Sequence, residues 1–112
     1  WSPFLAQLGY EPDRWDGGMS YRKADRAYFT FLPAPAEHLA AGYHRQRVGL
    51  NHVAFQGDSR EHVDAITQWV RDNGHTVLYE SQHPFANGPD YYALFCEDPD
   101  RIKVEVVAPD VS

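Results

Sequence analysis

The chain has 112 residues, 43% hydrophobic and 14% aromatic, which suits one domain with a packed core and argues against a disordered segment. Its formal charge of −6 disfavours nucleic acid and anionic membrane as partners. The single cysteine, Cys96, excludes an intrachain disulfide, and no apolar run approaches the roughly 20 residues that span a bilayer, so a cytoplasmic protein is expected.

The opening WSPFLAQLGYEP has a helical pattern, with Phe4, Leu5 and Leu8 on one face and Gly9 placed to stop it. Ser2 and Pro3 read as N-cap and first residue of a short helix; the alternative is a longer helix with Pro3 inside it and its start absent. Gly17-Gly18 marks a turn, and MSYRK with RAYFTFL reads as a hairpin pair. PAPAEHLAAGYHRQR is a connector. VGLNHVAFQ then reads as a strand, and Ser59 caps a helix through Asn73 whose buried stripe is Val63, Ile66, Thr67 and Val70. NGHTVLYE stops that helix and opens a strand. SQHPFANGPD is a loop, and YYALFCE, the turn DPDR and IKVEVVAP form a closing hairpin.

The two halves resemble each other. FLAQLGY (4–10) lies over WVRDNGH (69–75) at an offset of 65, and DRAYFTFL (25–32) lies over DRIKVEVV (100–107) at an offset of 75. The ten extra residues fall in the SQHPFANGPD loop. A repeated module is the economical reading: residues 1–36 as module one, 37–47 as connector and 48–112 as module two of a single domain. Module two reads β-α-β-β-β and module one α-β-β-β. The counterpart of His52 falls about a dozen residues before Trp1, so the chain is expected to lack its first strand. The expected fold class is α+β: paired βαβββ modules forming a curved mixed sheet around a cleft, with helices outside.

Alternation along strands singles out the chemistry. Leu50, His52 and Ala54 share one face of the first strand of module two. In the last strand Ile102, Val104 and Val106 form an apolar face, so Lys103, Glu105 and Val107 face the other way. His52 and Glu105 are thereby expected on the concave side, where an imidazole and a carboxylate are two ligands of a facial triad for a divalent metal. The third would come from the missing strand. Thr30, equivalent to Glu105 at the offset of 75, is a poor metal ligand but can hydrogen-bond a bound water or substrate. Taken singly, a strand histidine is more often a core or surface residue, and Glu105 a solvated edge residue. Their shared face raises the ligand reading.

The other histidines rank lower. His38 and His62 read as solvent-facing, His75 as structural, and His44 as part of a basic turn with Arg45 and Arg47. His83 differs, because a loop grown in only one module commonly carries function. His83, with Tyr91 or Tyr92, is placed to overhang the cleft; His83 and Tyr92 are the expected acid–base or hydrogen-bonding groups, and Lys103 and Thr30 the expected substrate-pocket residues. Cys96 reads as a buried small residue, and WDGGMS as a turn only.

GLNHVAF, a helix ending in Gly, GPDYYALFCEDPDRIKVEVV and the paired modules together resemble the vicinal oxygen chelate superfamily. This is the group of glyoxalase I, fosfomycin-resistance proteins, extradiol dioxygenases and bleomycin-binding proteins. The likeness spans nearly the whole chain and is nearest to small single-domain members of unassigned function sharing WDGG, HRxRVGLNHxAF and DPDRIKVE. It implies metal ligands from the first strand of each module and from the last strand, hence His52, Glu105 and a histidine on the absent strand. Thr30 stands where glyoxalase I has its fourth ligand, which counts against that activity. The implied function is a divalent-metal enzyme (Fe²⁺, Mn²⁺, Zn²⁺ or Ni²⁺; lyase, transferase or dioxygenase type) acting on a small substrate chelated through adjacent oxygens. The alternatives are a non-catalytic, drug-sequestering binding protein of the same fold and an extradiol-type dioxygenase. An open sheet edge leaves a homodimer as the allowed assembly.

Overall fold

The structure, a computed structural model, describes residues 1–110 and divides into two compact units, Trp1–Gly42 and a second from Tyr43 onward. In the first, helix α1 (Ser2–Gln7) precedes strands β1 (Glu11–Trp15), β2 (Gly18–Arg22) and β3 (Phe29–Phe31), paired antiparallel in the order β1-β2-β3. A 3₁₀ turn at Ala36–Ala41 closes the unit. At six residues α1 is too short to persist alone, and packing holds it: Phe4, Leu5, Leu8 and Tyr21 are buried, with the Trp1 ring 5.6 Å from Phe4 and 5.4 Å from Phe31. One sequence expectation is corrected here, and one strand appears that the sequence reading left unassigned. Trp1, not Ser2, is the N-cap, because the Ser2 hydroxyl is engaged with the Tyr21 hydroxyl. EPDRW, fully exposed and without apolar alternation, is nevertheless a strand, because the Asp16-Gly17 turn folds it back in register onto β2.

The second unit contains β4 (His52–Gln56), α2 (Arg60–Asp72), β5 (Thr76–Val77), β6 (Ala93–Glu97) and β7 (Lys103–Val107). Its sheet runs β4-β7-β6-β5; β4 and β7 are parallel and the other pairs antiparallel. The Ser59 hydroxyl accepts from the His62 backbone N–H at 3.0 Å, capping α2, and Val63, Ile66, Thr67 and Val70 are its buried stripe, as the periodicity predicts. Against them lies one face of the sheet, where Phe55, Leu94, Cys96, Val104 and Val106 are all buried. Each fully buried aliphatic side chain contributes about 1.5–3 kcal/mol relative to exposure.

The strands are shorter than their apolar runs suggest. β4 begins at His52, leaving Leu50 exposed outside it, and β7 begins at Lys103, leaving Ile102 outside; β5 has two residues before the chain turns. His62 is not solvent-facing: its ring Nδ1 accepts from the Asp58 N–H at 2.9 Å and its side chain is 19% exposed.

The two units share their strand registers. Met19↔Phe31 in β2–β3, displaced by 75, is Leu94↔Val106 in β6–β7. Glu11↔Arg22, with the first member displaced by 65 and the second by 75, is Thr76↔Glu97. Gly9 and Gly74, 65 apart, each follow a helix C-cap with φ of +88° and +73°, a left-handed conformation that glycine adopts without a Cβ clash.

Candidate functional site

The face of the second sheet turned away from α2 collects the charged and polar groups. Register puts His52 beside Lys103 and Ala54 beside Glu105 across the parallel β4–β7 pair, and Phe95 beside Glu105 with Glu97 beside Lys103 across β6–β7. Directly paired residues share a face, so His52, Lys103, Glu105, Phe95 and Glu97 line one surface. His52 and Glu105 are diagonal neighbours in it, a spacing of about 7–8 Å between backbone positions.

Glu105 is only 5% exposed. The Tyr91 hydroxyl donates to its Oε2. Burial, then the hydrogen bond and charge of Glu105, push the Tyr91 phenol up to about 12, so it is a fixed donor over the neutral range. Lys103 sits in an aromatic bracket: its Nζ donates to the Tyr79 hydroxyl at 3.0 Å and lies 5.1 Å from the Tyr79 ring centre and 5.2 Å from that of Phe95. Glu97 is held by Arg45 at 3.0 Å and by Arg101 at 3.6 Å. His52 is exposed, with its Nδ1 2.8 Å from the Asn51 Oδ1.

Of the residues singled out from sequence, His52, Lys103 and Glu105 come together on this face. His83 and Tyr92 do not. Tyr92 has the opposite parity to Tyr91, and its hydroxyl donates to Asp64 on α2, with Arg60 4.8 Å above the ring and Phe85 at its edge. The bond to Asp64, then burial, raises the Tyr92 phenol to about 12. The His83 imidazole is half-buried among Arg71, Glu80 and Asp64; burial and then the Arg71 charge lower its pKa. Thr30 lies in the first unit, exposed on β3, where its hydroxyl meets that of Ser20 at 3.0 Å, and the Trp15 indole N–H donates to the same Ser20 oxygen at 3.0 Å. Cys96 is buried and its thiol is pushed up to about 12 by that burial.

Sequence reasoning named Tyr91 only as an alternative to Tyr92, and it missed Trp15. Tyr91 was legible by alternation, since 91, 93, 95 and 97 share a face with Glu105 and Tyr92 does not. Trp15 was not: its ring lies so close over Gly18 that a Cβ there would meet it at 2.7 Å, a packing of aromatic on glycine that no periodicity announces. Among the described residues no group of three or more His, Cys, Asp or Glu side chains is placed to hold a metal ion, and no helix is long and apolar enough to cross a membrane.

The model of the Glyoxalase/Bleomycin resistance protein/Dioxygenase superfamily matches residues 8–106. The chain belongs to this superfamily. It is 51% identical over 110 residues to the uncharacterized protein YqjT of Bacillus subtilis (strain 168), covering 97% of this chain and 85% of that one. A crystal structure of a "putative glyoxalase" from Bacillus halodurans superposes with a TM-score of 0.93 at 48% identity, over 97% of this chain and 82% of the other. Lactoylglutathione lyase from Agrobacterium tumefaciens shares the fold, with a TM-score of 0.58 at 21% identity over 94% of this chain and 79% of its own. The mixed α+β architecture with two sheets is therefore the glyoxalase type.

Proposed function

We propose that this superfamily member is a divalent-metal-dependent enzyme acting on a small substrate that presents two adjacent oxygens, with the helix-free face of the second sheet as its working surface. The observation that carries this reading is Glu105, a carboxylate 5% exposed on the face it shares with His52. Taking a carboxylate out of water is costly without compensating partners, and an apolar residue would serve packing better. One imidazole and one carboxylate match the donor chemistry of Fe²⁺, Mn²⁺, Zn²⁺ or Ni²⁺. They are two donors of a set that the described residues do not complete. Such an ion supplies Lewis-acid polarisation of a substrate oxygen when bound. The chain's own groups do the rest: Tyr91 orients the Glu105 carboxylate, and Lys103 offers a cation for an anionic part of the substrate. Tyr91 thus takes the supporting part that sequence assigned to Tyr92.

The test is calorimetric titration of metal-stripped protein with each of the four ions, beside His52→Ala and Glu105→Gln checked for folding by circular dichroism. One ion bound per chain, with binding lost in both variants, is the expected result. No stoichiometric uptake, or uptake that neither variant alters, overturns the proposal. Oxygen consumption with a catechol and Fe²⁺ would assign the dioxygenase branch.

A second reading, a binding protein without catalysis, is supported by the Tyr91–Glu105 bond itself, because the carboxylate already has a partner within the chain. It expects metal-free protein to sequester a cationic drug such as bleomycin with an affinity that His52→Ala leaves unchanged.

A further inference from the structure

The orientation of the Asn51 amide decides which nitrogen of His52 is available. Asn51 Nδ2 lies 3.1 Å from the backbone carbonyl oxygen of Arg45, an atom that can only accept. Reversing the amide would set two oxygens against each other there, so the NH₂ group must face Arg45 and Oδ1 must face His52. Oδ1 is itself an acceptor, and it is 2.8 Å from His52 Nδ1. Nδ1 therefore carries the hydrogen, in the neutral and the charged ring alike. In the neutral ring the lone pair is left on Nε2.

The amide is anchored beyond its own contacts. Arg45, whose carbonyl receives it, is tied by its guanidinium to Glu97 Oε2 at 3.0 Å and to the Arg101 carbonyl at 2.9 Å. Glu97 lies on β6 in direct register with Lys103, itself the partner of His52 across β4–β7. The segment before β4 is thus fastened to the turn between β6 and β7. His52 stands at the first position of its strand, where its own backbone gives its ring little restraint.

We propose that Asn51 is a positioning residue that holds neutral His52 as its Nδ1–H tautomer, making Nε2 the atom that the site offers to a bound cation or hydrogen-bond donor. The use made of Nε2 rests on the proposed function; the tautomer does not. A ring nitrogen fixed through its partner's hydrogen bond is a more basic and better-aimed donor than a free one, and loss of such a partner typically costs about 10–100-fold in metal affinity.

The test uses metal-free protein labelled with ¹⁵N-histidine, about two pH units above the ordinary histidine value of ~6.5 so that the rings are neutral. A long-range ¹H–¹⁵N correlation spectrum reports the tautomer of each histidine, and His52 is assigned by the signal absent from His52→Gln. Wild-type protein is expected to show Nδ1 protonated and Nε2 bare. Asn51→Ala is expected to move the ring toward Nε2–H. An Nε2–H ring in the wild type overturns the inference without recourse to any variant, as does an unchanged tautomer in Asn51→Ala. Mn²⁺ titration separates the two proposals: a fall of about 10–100-fold in Asn51→Ala supports both. An affinity that Asn51→Ala leaves intact overturns the positioning role. Absence of uptake by the wild type sinks the metal reading while an Nδ1–H spectrum still upholds the tautomer.

Discussion

Replacing Tyr91 by Phe keeps the ring and removes the one hydroxyl that the structure places on the buried Glu105 carboxylate. A hydrogen bond to a charged group contributes about 1.5–3 kcal/mol, more of it felt when the group left behind is buried. Tyr91 is half-buried, so water can partly replace the lost donor, and the lower part of that range, about 1.5–2 kcal/mol, is expected. With an unfolding entropy near 2.1 cal/mol/K per residue, 112 residues give about 0.24 kcal/mol/K, so the loss corresponds to a Tm lower by roughly 6–9 °C.

Urea and thermal unfolding of wild type, Tyr91→Phe, Glu105→Gln and the double variant complete a double-mutant cycle. In the Glu105→Gln background the hydroxyl meets a neutral amide, where a hydrogen bond contributes only about 0.5–1.5 kcal/mol. A coupling of roughly 1 kcal/mol should therefore appear. Equal losses in the two backgrounds, or no loss in either, would refute the claim that the phenol serves the carboxylate. Alkaline pH offers a second readout. Both Tyr91 and Tyr92 keep their protons to about 12 in the folded chain, against ~10 when unfolded. The folded state holds the extra protons in that window, so this stabilisation is complete below pH ~10 and is lost as pH rises through about 12. Tyr91→Phe should remove one of the two contributions.

Two further outcomes follow from other parts of the molecule. His83 has a lowered pKa, so its neutral form is favoured by folding; that stability is present above pH ~6.5 and is lost as pH falls through the folded value, and His83→Gln should flatten this part of a stability-versus-pH curve measured by urea unfolding. In Gly18→Ala the new Cβ would meet Trp15 at 2.7 Å and Leu32 at 2.8 Å; both side chains are exposed enough to swing aside, so a cost of about 1 kcal/mol is expected, with loss of the Trp15–Ser20 bond visible as a shifted indole N–H resonance.

Legibility in the sequence followed physical periodicity. Helix α2 was readable to within a residue because its cap, stripe and stop agree, with Ser59, Val63–Val70 and Gly74 each giving the same answer. Alternation put Lys103 and Glu105 on one face of the last strand, and the pairing register sets His52 beside Lys103. What failed lacks a period. EPDRW pairs because a two-residue turn returns it to β2, not because its side chains pack. Val48 and Leu50 read as strand but are exposed, since no neighbouring strand extends to pair with them. Asn51 drew no notice, for its importance lies in which way an amide points, and that is set by a carbonyl six residues earlier in the chain.

The two faces of the second sheet divide stability from chemistry. Leu94, Cys96, Val104 and Val106 lie on the face toward α2 and are buried, while the residues alternating with them are freed from that helix, Phe95 among them buried on the other face. The freed positions hold Glu97, Lys103 and Glu105, and each charge has a local partner: two arginines for Glu97, two aromatic rings and a hydroxyl for Lys103, a phenol for Glu105. At the equivalent places of the first unit, 75 residues earlier, stand Arg22, Tyr28 and Thr30; the Arg22 guanidinium lies 4.4 Å from the Tyr28 ring centre and 3.7 Å from Asp13, and the Thr30 hydroxyl meets that of Ser20. Register is common to both units, so backbone pairing does not explain the difference. It arises from the side chains, which put two carboxylates on the surface that also begins with an imidazole oriented by its neighbour. The charges of these groups are satisfied locally, and His52 and Glu105 share the face of the sheet that carries them.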